Sequence, residues 1–165
     1  MTERGKNRII QLKVNRRENM KLFEKKFEEL STNELFKILK LRCSVFIVEQ
    51  SCPYQDIDEQ DREALHLWLE EGGEILAYLR VLPAGTVFEE ASIGRVISVN
   101  RRSGNGTKIV SEGIRAAKEA FGAEAITIEA QLYAKSLYEK LGFVQISQPF
   151  LEDGIEHVKM RIDLK

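Results

Sequence analysis

The chain has 165 residues, of which 43% are hydrophobic, and its 25 Lys and Arg residues nearly balance its 26 Asp and Glu residues. This length suits one globular domain that needs no metal or disulfide to hold its core. The balanced charge and the lack of a long apolar run argue against nucleic acid or a membrane as partner, so we expect a cytoplasmic protein.

The first 19 residues are basic and contain few apolar side chains. We predict that residues 1–19 are a tail or an extension and that residues 20–165 form a single domain. Met20 could be the true start, so the leader has two explanations: an extension added upstream of that start, or a loosely attached arm.

Hydrophobic spacing and turn residues divide the rest of the chain into alternating strands and helices. In chain order, we predict a strand at 22–29, a helix at 31–48, an irregular loop at 49–61, a hairpin turning at 72 and 73, a strand at 92–99, an amphipathic helix at 110–121, a strand at 125–130, a short helix at 134–141 and strands near 143–147 and 155–163. Ser31 and Glu34 have capping-box spacing, and Gly94 is a possible bulge. The order indicates an α/β fold.

A glycine-rich turn, "RRSGNGTKIV" at 101–110, stands between a predicted strand and a predicted helix. The first turn of a helix leaves amide groups unpaired, and glycines let an anion approach them. The helix dipole and the side chains of Arg101, Arg102 and Lys108 add positive charge there. The turn therefore predicts a pyrophosphate site, although it lacks the pattern of a P-loop. The alternative is an ordinary capped turn with solvated arginines.

The motif Arg101-x-x-Gly104-x-Gly106 resembles the R/Q-x-x-G-x-G/A hallmark of the GCN5-related N-acetyltransferases, the GNAT superfamily. Further segments are similar to its ElaA-type branch: "RCSVFIVEQSCPYQDIDEQD" at 42–61, "AxHLWL" ending at Leu69, "IGRVIS" at 93–98 and "FLEDGIEH" at 150–157. The resemblance covers nearly all of the chain beyond the first 20 or so residues.

This resemblance implies a mixed, mostly antiparallel sheet that is flanked by helices and splays between the strands at 93–98 and 125–130. Acetyl-coenzyme A would lie in the splay as co-substrate, its pantetheine along the first of these strands and its pyrophosphate on the amides of 102–107. Gln131 stands where many members have an asparagine. The implied cofactor-binding residues are Val96, Ile97, Ser98, Arg101, Arg102, Ser103, Gly104, Asn105, Gly106, Thr107 and Gln131.

Acetyl transfer to an amine needs a proton acceptor, because a lysine-like amine with a pKa of ~10.4 is charged at pH 7. It also gains from a proton donor for the departing thiolate. Tyr138 matches the position where many family members keep a tyrosine near the thioester sulfur; its alternative role is in the core. The sequence leaves the base open among Glu49, Asp56, Asp58, His66 and Glu129.

Several of these base candidates have other plausible roles. His66 could be a structural histidine. The acidic run around Asp56 and Asp58 could bind a cationic acceptor, or it could be a solvated loop.

The two cysteines suggest reduced thiols, since no disulfide framework surrounds them. We expect Cys43 to fill the core and Cys52 to be the more exposed of the two. The two Cys and two His residues also lack zinc spacing, so no metal is expected.

The sequence therefore predicts an acyltransferase that moves acetyl from acetyl-coenzyme A directly to a small-molecule or protein amine in a ternary complex. A homodimer is possible. Two alternatives remain: a non-catalytic module that binds or senses acyl-coenzyme A, and a protein-interaction domain whose turn has lost its ligand.

Overall fold

The computed structural model describes residues 9–10 and 19–165, so most of the predicted tail lies outside the described residues. The strands are β1 (Ile9–Ile10), β2 (Lys21–Lys26), β3 (Leu65–Glu71), β4 (Glu74–Leu82), β5 (Ser92–Ser98), β6 (Ala125–Gln131), β7 (Val144–Gln145), β8 (Phe150–Glu152) and β9 (Ile155–Asp163). The helices are α1 (Thr32–Arg42), α2 (Gln60–Glu63), α3 (Asn105–Phe121) and α4 (Lys135–Lys140). Within the predicted tail, β1 pairs antiparallel with β2. The assignment of residues 1–19 as a tail or an extension stays a prediction.

Two antiparallel sheets make up the fold and share one edge. The first has the order β1-β2-β3-β4-β5, and the second has the order β6-β9-β7 with β8 also on β9. They meet at a parallel bridge between Ala91 and Ile126, where the Thr127 amide donates to the Ala91 carbonyl over 3.0 Å. Beyond this bridge β5 and β6 separate. The mixed α/β fold and its splayed sheet are confirmed.

Helix α3 packs on one face of the first sheet because its apolar stripe includes the buried residues Ile109, Val110 and Ala117. Gly113 lets the helix approach closely, since a Cβ there would lie 3.0 Å from a methyl group of Leu79. The opposite face of the sheet carries a second apolar cluster that contains Ile38 of α1. Helices therefore cover both faces of this sheet.

The predicted helix at 31–48 is a composite. Ser31 caps α1 as predicted, accepting from the Glu34 amide over 3.1 Å. After Arg42 the helix widens into a π-helix at Cys43–Glu49, in which backbone bonds span five residues, as from Gln50 to Val45. Such π-turns are frequent at functional sites, and this one brings Glu49 and Gln50 to the gap between the sheets.

The end of the chain has a strand that the sequence analysis missed. Asp153 and Gly154, with φ values of 49° and 76°, form a two-residue turn that joins β8 to β9. An Asp-Gly pair is one of the strongest short hairpin signals. The Asp-Gly pair is present in the sequence, but the strand that precedes it, β8, is only three residues long and gives no alternating pattern of its own.

Candidate active site

The splay between β5 and β6 opens a cavity of about 630 Å³. Residues directly opposite each other on paired strands share a face, so Gln131 of β6 and His157 of β9 lie on one face and Ala130 and Val158 on the other. Val158 and Tyr138 of α4 belong to the same buried core, so Tyr138 lies on the face of Val158. Tyr138 and His157, on opposite faces, nevertheless both line the cavity. The cavity therefore passes through the gap from one face to the other.

Many residues singled out from the sequence meet at this cavity. Those that line it are Glu49, Asp58, Val96, Ile97, Ser98, Arg101, Glu129, Gln131 and Tyr138. Asp56 and His66 are buried elsewhere, and the glycine-rich turn lies beside the cavity at the start of α3.

The edge of β5 that faces the cavity has no strand partner within the described chain, apart from the bridge at Ala91. Its other edge pairs with β4 through a bulge: Arg80 faces Gly94, whereas Tyr78 faces Ile97. Between them Arg95 has a φ of 53°. The irregularity predicted at Gly94 is confirmed one residue later, and it leaves the backbone of Val96, Ile97 and Ser98 beside the gap.

The glycine-rich turn has the backbone that anion binding requires. Arg102 and Gly104 have φ values of 61° and 84°. Gly104 is the N-cap of α3, so no side chain at that position occupies the amides of the first turn. Among the described residues no hydrogen-bond acceptor is found for the Gly106 and Thr107 amides. Unpaired amides at the positive end of a 17-residue helix fit a pyrophosphate.

Gly106 controls how closely α3 approaches the cavity. A Cβ there would lie 3.1 Å from Leu137 Cδ1 and 3.5 Å from Ser98 Cβ. The larger side chain of Gly106→Val should therefore push the start of α3 away from β5. We expect at least a tenfold loss of acetyl-coenzyme A affinity by calorimetry. Gly122→Asn, at the left-handed residue that ends the same helix, should keep the affinity. Equal affinities in all three proteins would contradict this role of the helix start.

Tyr138 is mostly buried, with its ring edge-on to Phe143 at 5.7 Å between centroids. Burial raises the pKa of the phenol above its ordinary value, which keeps the hydroxyl protonated at neutral pH. Within the described chain its hydroxyl has no hydrogen-bond partner. A protonated hydroxyl at the cavity wall can donate to a ligand.

Three arginines and three aspartates form a closed network, the Arg–Asp ring, at the loop where the sequence predicted an acceptor pocket. Each arginine contacts two aspartates and each aspartate contacts two arginines. The closest N···O distances are Arg42–Asp61 2.6 Å, Asp61–Arg80 2.7 Å, Arg80–Asp58 2.6 Å, Asp58–Arg95 3.5 Å, Arg95–Asp56 2.7 Å and Asp56–Arg42 3.0 Å. The ring has no net charge.

This pairing limits what the aspartates can do. Burial would raise the pKa of Asp58, but the hydrogen bond and charge of Arg80, with a smaller contribution from Arg95, hold it below the ordinary value. The same balance, through Arg42 and Arg80, lowers the pKa of Asp61. A carboxylate stabilised in this way is a weak proton acceptor. The ring fits a structural role better than the base role suggested for Asp56 and Asp58.

Glu49 lies at the more exposed rim of the cavity. Its carboxylate accepts from Arg101 Nη2 over 2.7 Å, and both side chains are more than half exposed. This ion pair links the π-helix to the glycine-rich turn across the cavity mouth. Gln50 adds a second link, since its side-chain amide and that of Gln131 exchange hydrogen bonds of 3.2 Å.

His66 is buried and has both ring nitrogens engaged. Nε2 donates to the Asp61 carbonyl and Nδ1 accepts from the Tyr78 hydroxyl, each over 2.8 Å. Burial lowers the pKa of the imidazole, although the Asp61 carbonyl favours the charged form. Because neither nitrogen reaches the cavity, the structural role that the sequence left open fits His66 and the base role does not.

The lowered pKa of His66 predicts how stability changes with pH. The unfolded chain takes up this proton near pH 6.5 and the folded chain resists it, so the free energy of unfolding should fall as the pH drops below about 6.5. Urea denaturation between pH 7.5 and 5 measures the slope. His66→Gln, with an amide in place of the imidazole, should flatten it. A slope unchanged in that variant would assign it to other groups.

The β8–β9 hairpin contributes cavity residues that the sequence analysis did not single out. Glu152, Asp153 and His157 line the same cavity as Asp58, Arg80 and Arg95 of the Arg–Asp ring. Glu129 lies near them, and burial followed by the charge of Glu152 raises its pKa. The "DG" turn was the signal that could have predicted this hairpin and so drawn attention to His157.

The cysteine exposures were predicted the wrong way round. Cys43 is exposed, whereas Cys52 is buried beside the cavity and its thiol lies 3.5 Å from the Asp153 carbonyl. Cys43 follows the buried Arg42, and successive residues of a helix point about 100° apart, so Cys43 points away from the buried face that carries Ile38 and Arg42. In the described part of the chain, no cluster of three or more His, Cys, Asp or Glu residues could hold a metal, and no helix is long and apolar enough to cross a membrane.

The likeness to known proteins agrees with this geometry. Residues 28–164 match the family model described as an acetyltransferase (GNAT) domain. The chain therefore belongs to the GNAT acetyltransferase family, a family of acyltransferases, as the sequence motif predicted.

Within this family the chain is ElaA-like. It is 35% identical to Escherichia coli ElaA over 136 residues, 80% of this chain and 89% of ElaA. The crystal structure of ElaA matches with a TM-score of 0.80 at 32% identity, covering 86% of this chain and 98% of that one.

Two further relatives are similarly close. The UPF0039 protein C11D3.02c of Schizosaccharomyces pombe is 37% identical over 150 residues, 88% of this chain and 99% of that protein. An acyl-CoA N-acyltransferase from Pseudomonas aeruginosa has a TM-score of 0.79 at 34% identity, covering 85% of this chain and 97% of that one.

Proposed function

We propose that the protein transfers an acetyl group from acetyl-coenzyme A directly to an amine in a ternary complex. One observation carries the proposal: a single cavity joins the unpaired edge of β5 and the Tyr138 side chain to an acidic wall on the opposite face. A cofactor entering beside α3 and an acceptor entering from the other face would meet in the gap. Direct transfer needs this arrangement.

The cofactor side would use backbone groups more than side chains. The unpaired edge at Val96, Ile97 and Ser98 offers donors and acceptors to the amides of a pantetheine, as a neighbouring strand would. The residues that would hold the pyrophosphate are Arg101, Arg102, Ser103, Gly104, Asn105, Gly106 and Thr107. The cofactor supplies an activated acetyl thioester, and these residues would orient it.

Tyr138 would act at the leaving group. Its hydroxyl is protonated, lines the cavity and has no partner in the described chain, so it is free to donate to the sulfur as the C–S bond breaks. Gln131, held by Gln50, would contribute to the wall beside the acetyl group.

The acceptor would be a small-molecule or protein amine that carries positive charge before it binds. Asp56 and Asp58 would not attract this cation, because arginines neutralise them. Glu129, Glu152 and Asp153 would attract it instead, because they give the opposite wall a net negative character. Opposite charge in a partly buried cleft raises the local concentration of a cation.

A non-catalytic module that binds or senses acyl-coenzyme A remains the second candidate. It would need the same cradle at α3 but no acceptor chamber. The titratable groups on the far wall favour the enzyme, since a sensor has no use for them. A cytoplasmic location and a possible homodimer stay predictions.

Thermal unfolding and thiol release together test the proposal. Acetyl-coenzyme A should raise the melting temperature, and spermidine, tyramine, glucosamine or a peptide with a free α-amine should then drive release of coenzyme A. Stabilisation without release by any amine would support the sensor. No stabilisation at saturating ligand would contradict both candidates.

A further inference from the structure

His157 differs from His66 in the state of its two ring nitrogens. Nδ1 lies 2.8 Å from the Ile155 carbonyl, which can only accept, so Nδ1 carries a proton. In the neutral ring Nε2 then holds a lone pair. The closest charged group to Nε2 is Glu152, whose carboxylate lies at 4.0 Å, too far for a hydrogen bond.

The surroundings of His157 hold the ring in place. The residue is 9% exposed and its ring stacks on Phe150, with 6.0 Å between centroids. The Nδ1 bond to its own strand fixes the rotation of the ring. What remains available is Nε2, in a side chain that lines the cavity. A nearly buried imidazole with one free nitrogen is suited to accept a proton.

Charged side chains of β6, β8 and β9 lie near His157. Glu152 approaches from β8, and Glu129 approaches from the neighbouring strand β6. The one cation among them is Lys159 on the same strand, whose ammonium lies 3.8 Å from the Glu129 carboxylate. Glu152 and Glu129 therefore place two carboxylates beside this side chain.

From this geometry we infer that His157 Nε2 is the proton acceptor for the incoming amine. The inference rests on the proposed function and goes beyond it by naming the base. The candidates suggested by the sequence are all engaged: Glu49 is paired with Arg101, Asp56 and Asp58 belong to the ring, both ring nitrogens of His66 are bonded, and Glu129 interacts with the ammonium of Lys159.

Two protons leave the amine during the reaction, one through His157 and one through Tyr138. His157 Nε2 takes one proton from the ammonium, and the neutral amine nitrogen donates its electron pair to the thioester carbonyl carbon. The C–N bond forms, the C–S bond breaks, and sulfur leaves with the bonding pair and takes a proton from Tyr138. The second amine proton restores Tyr138, and His157 releases the first to solvent. The products are an amide, coenzyme A and one proton.

Steady-state kinetics of His157→Gln test the assignment. With the best amine of the panel, kcat/KM should fall roughly 10²-fold or more, the usual contribution of a general base. The decline in kcat/KM on the acid side of the wild-type profile should disappear. Acetyl-coenzyme A affinity should stay within about twofold, because His157 lies across the cavity from α3. In His157→Ala, added imidazole should restore part of the rate.

The failures of the two proposals are distinguishable. If His157→Gln keeps its rate within threefold and an unchanged pH profile while the wild type is active, the inference about His157 is wrong and the proposed function stands. If the wild type releases no thiol with any amine, the proposed function is wrong and the inference falls with it.

A chemical readout needs no acceptor. Diethyl pyrocarbonate acylates unprotonated imidazole nitrogens, and the sequence contains only two histidines. Mass spectrometry of the treated wild-type protein should find His157 modified and His66, with both nitrogens engaged, unmodified. Modification of His66 alone, or of neither residue in the folded protein, would overturn the inference that Nε2 is free.

Discussion

Arg42→Met is expected to destabilise the protein by about 3–5 kcal/mol, because removing one member of a buried ion network leaves the others uncompensated. Arg42 is fully buried and pairs with both Asp56 and Asp61. Methionine fills a similar volume, but Asp56 and Asp61 each lose one of their two arginine partners and the ring is left with a net negative charge. Urea denaturation at pH 7.5 measures the change.

Arg62→Met is the matched control for this prediction. Arg62 pairs with Glu59 at 2.9 Å, but both side chains are mostly exposed. Exposed pairs contribute about 0–1 kcal/mol, so the two variants remove the same side chain from opposite environments. A loss below about 1 kcal/mol in Arg42→Met would show that the Arg–Asp ring contributes little to stability.

Tyr138→Phe is expected to lower kcat roughly 10²–10⁴-fold, the range found for general acids. The substitution removes one oxygen from a side chain whose ring remains packed against Phe143. Acetyl-coenzyme A affinity and the melting temperature should therefore stay near their wild-type values. Thiol-release kinetics and calorimetry measure the two effects separately.

Glu139→Gln is the control for Tyr138, since it changes the next residue of the same short helix on its exposed side. It should leave kcat unchanged. A Tyr138→Phe enzyme with normal kcat would contradict the acid role and leave Tyr138 as a core residue with its hydroxyl at the cavity.

The elements with strong local signals were predictable from sequence. Ser31 begins α1 through its capping box, residues 72 and 73 turn the β3–β4 hairpin, and the apolar stripe of α3 follows the glycine-rich turn. Each signal depends on residues a few positions apart. The separation of β5 from β6 and the role of the β5 edge in cofactor binding were predicted from the resemblance to the family, because no local pattern defines them.

The far wall of the site depends on contacts between distant segments. In the sequence Arg42 stands among apolar residues at helical spacing, but its partners Asp56 and Asp61 lie 14 and 19 residues away in a segment without periodicity. In the sequence alone, His66 and His157 are equally plausible as bases, because each stands in a predicted strand. What distinguishes them is that Tyr78, twelve residues away, bonds the second ring nitrogen of His66, whereas His157 bonds only the carbonyl of Ile155 in its own strand.

The bulge at Arg95 makes two parts of the site dependent on each other. The same backbone irregularity that exposes the edge of β5 also turns Arg95 towards Asp56 and Asp58. Substitutions in that loop would therefore disturb cofactor alignment as well as acceptor entry. The β8–β9 hairpin has no such tie to β5, so substitutions in this hairpin other than at His157 should change acceptor preference and leave cofactor binding unaffected.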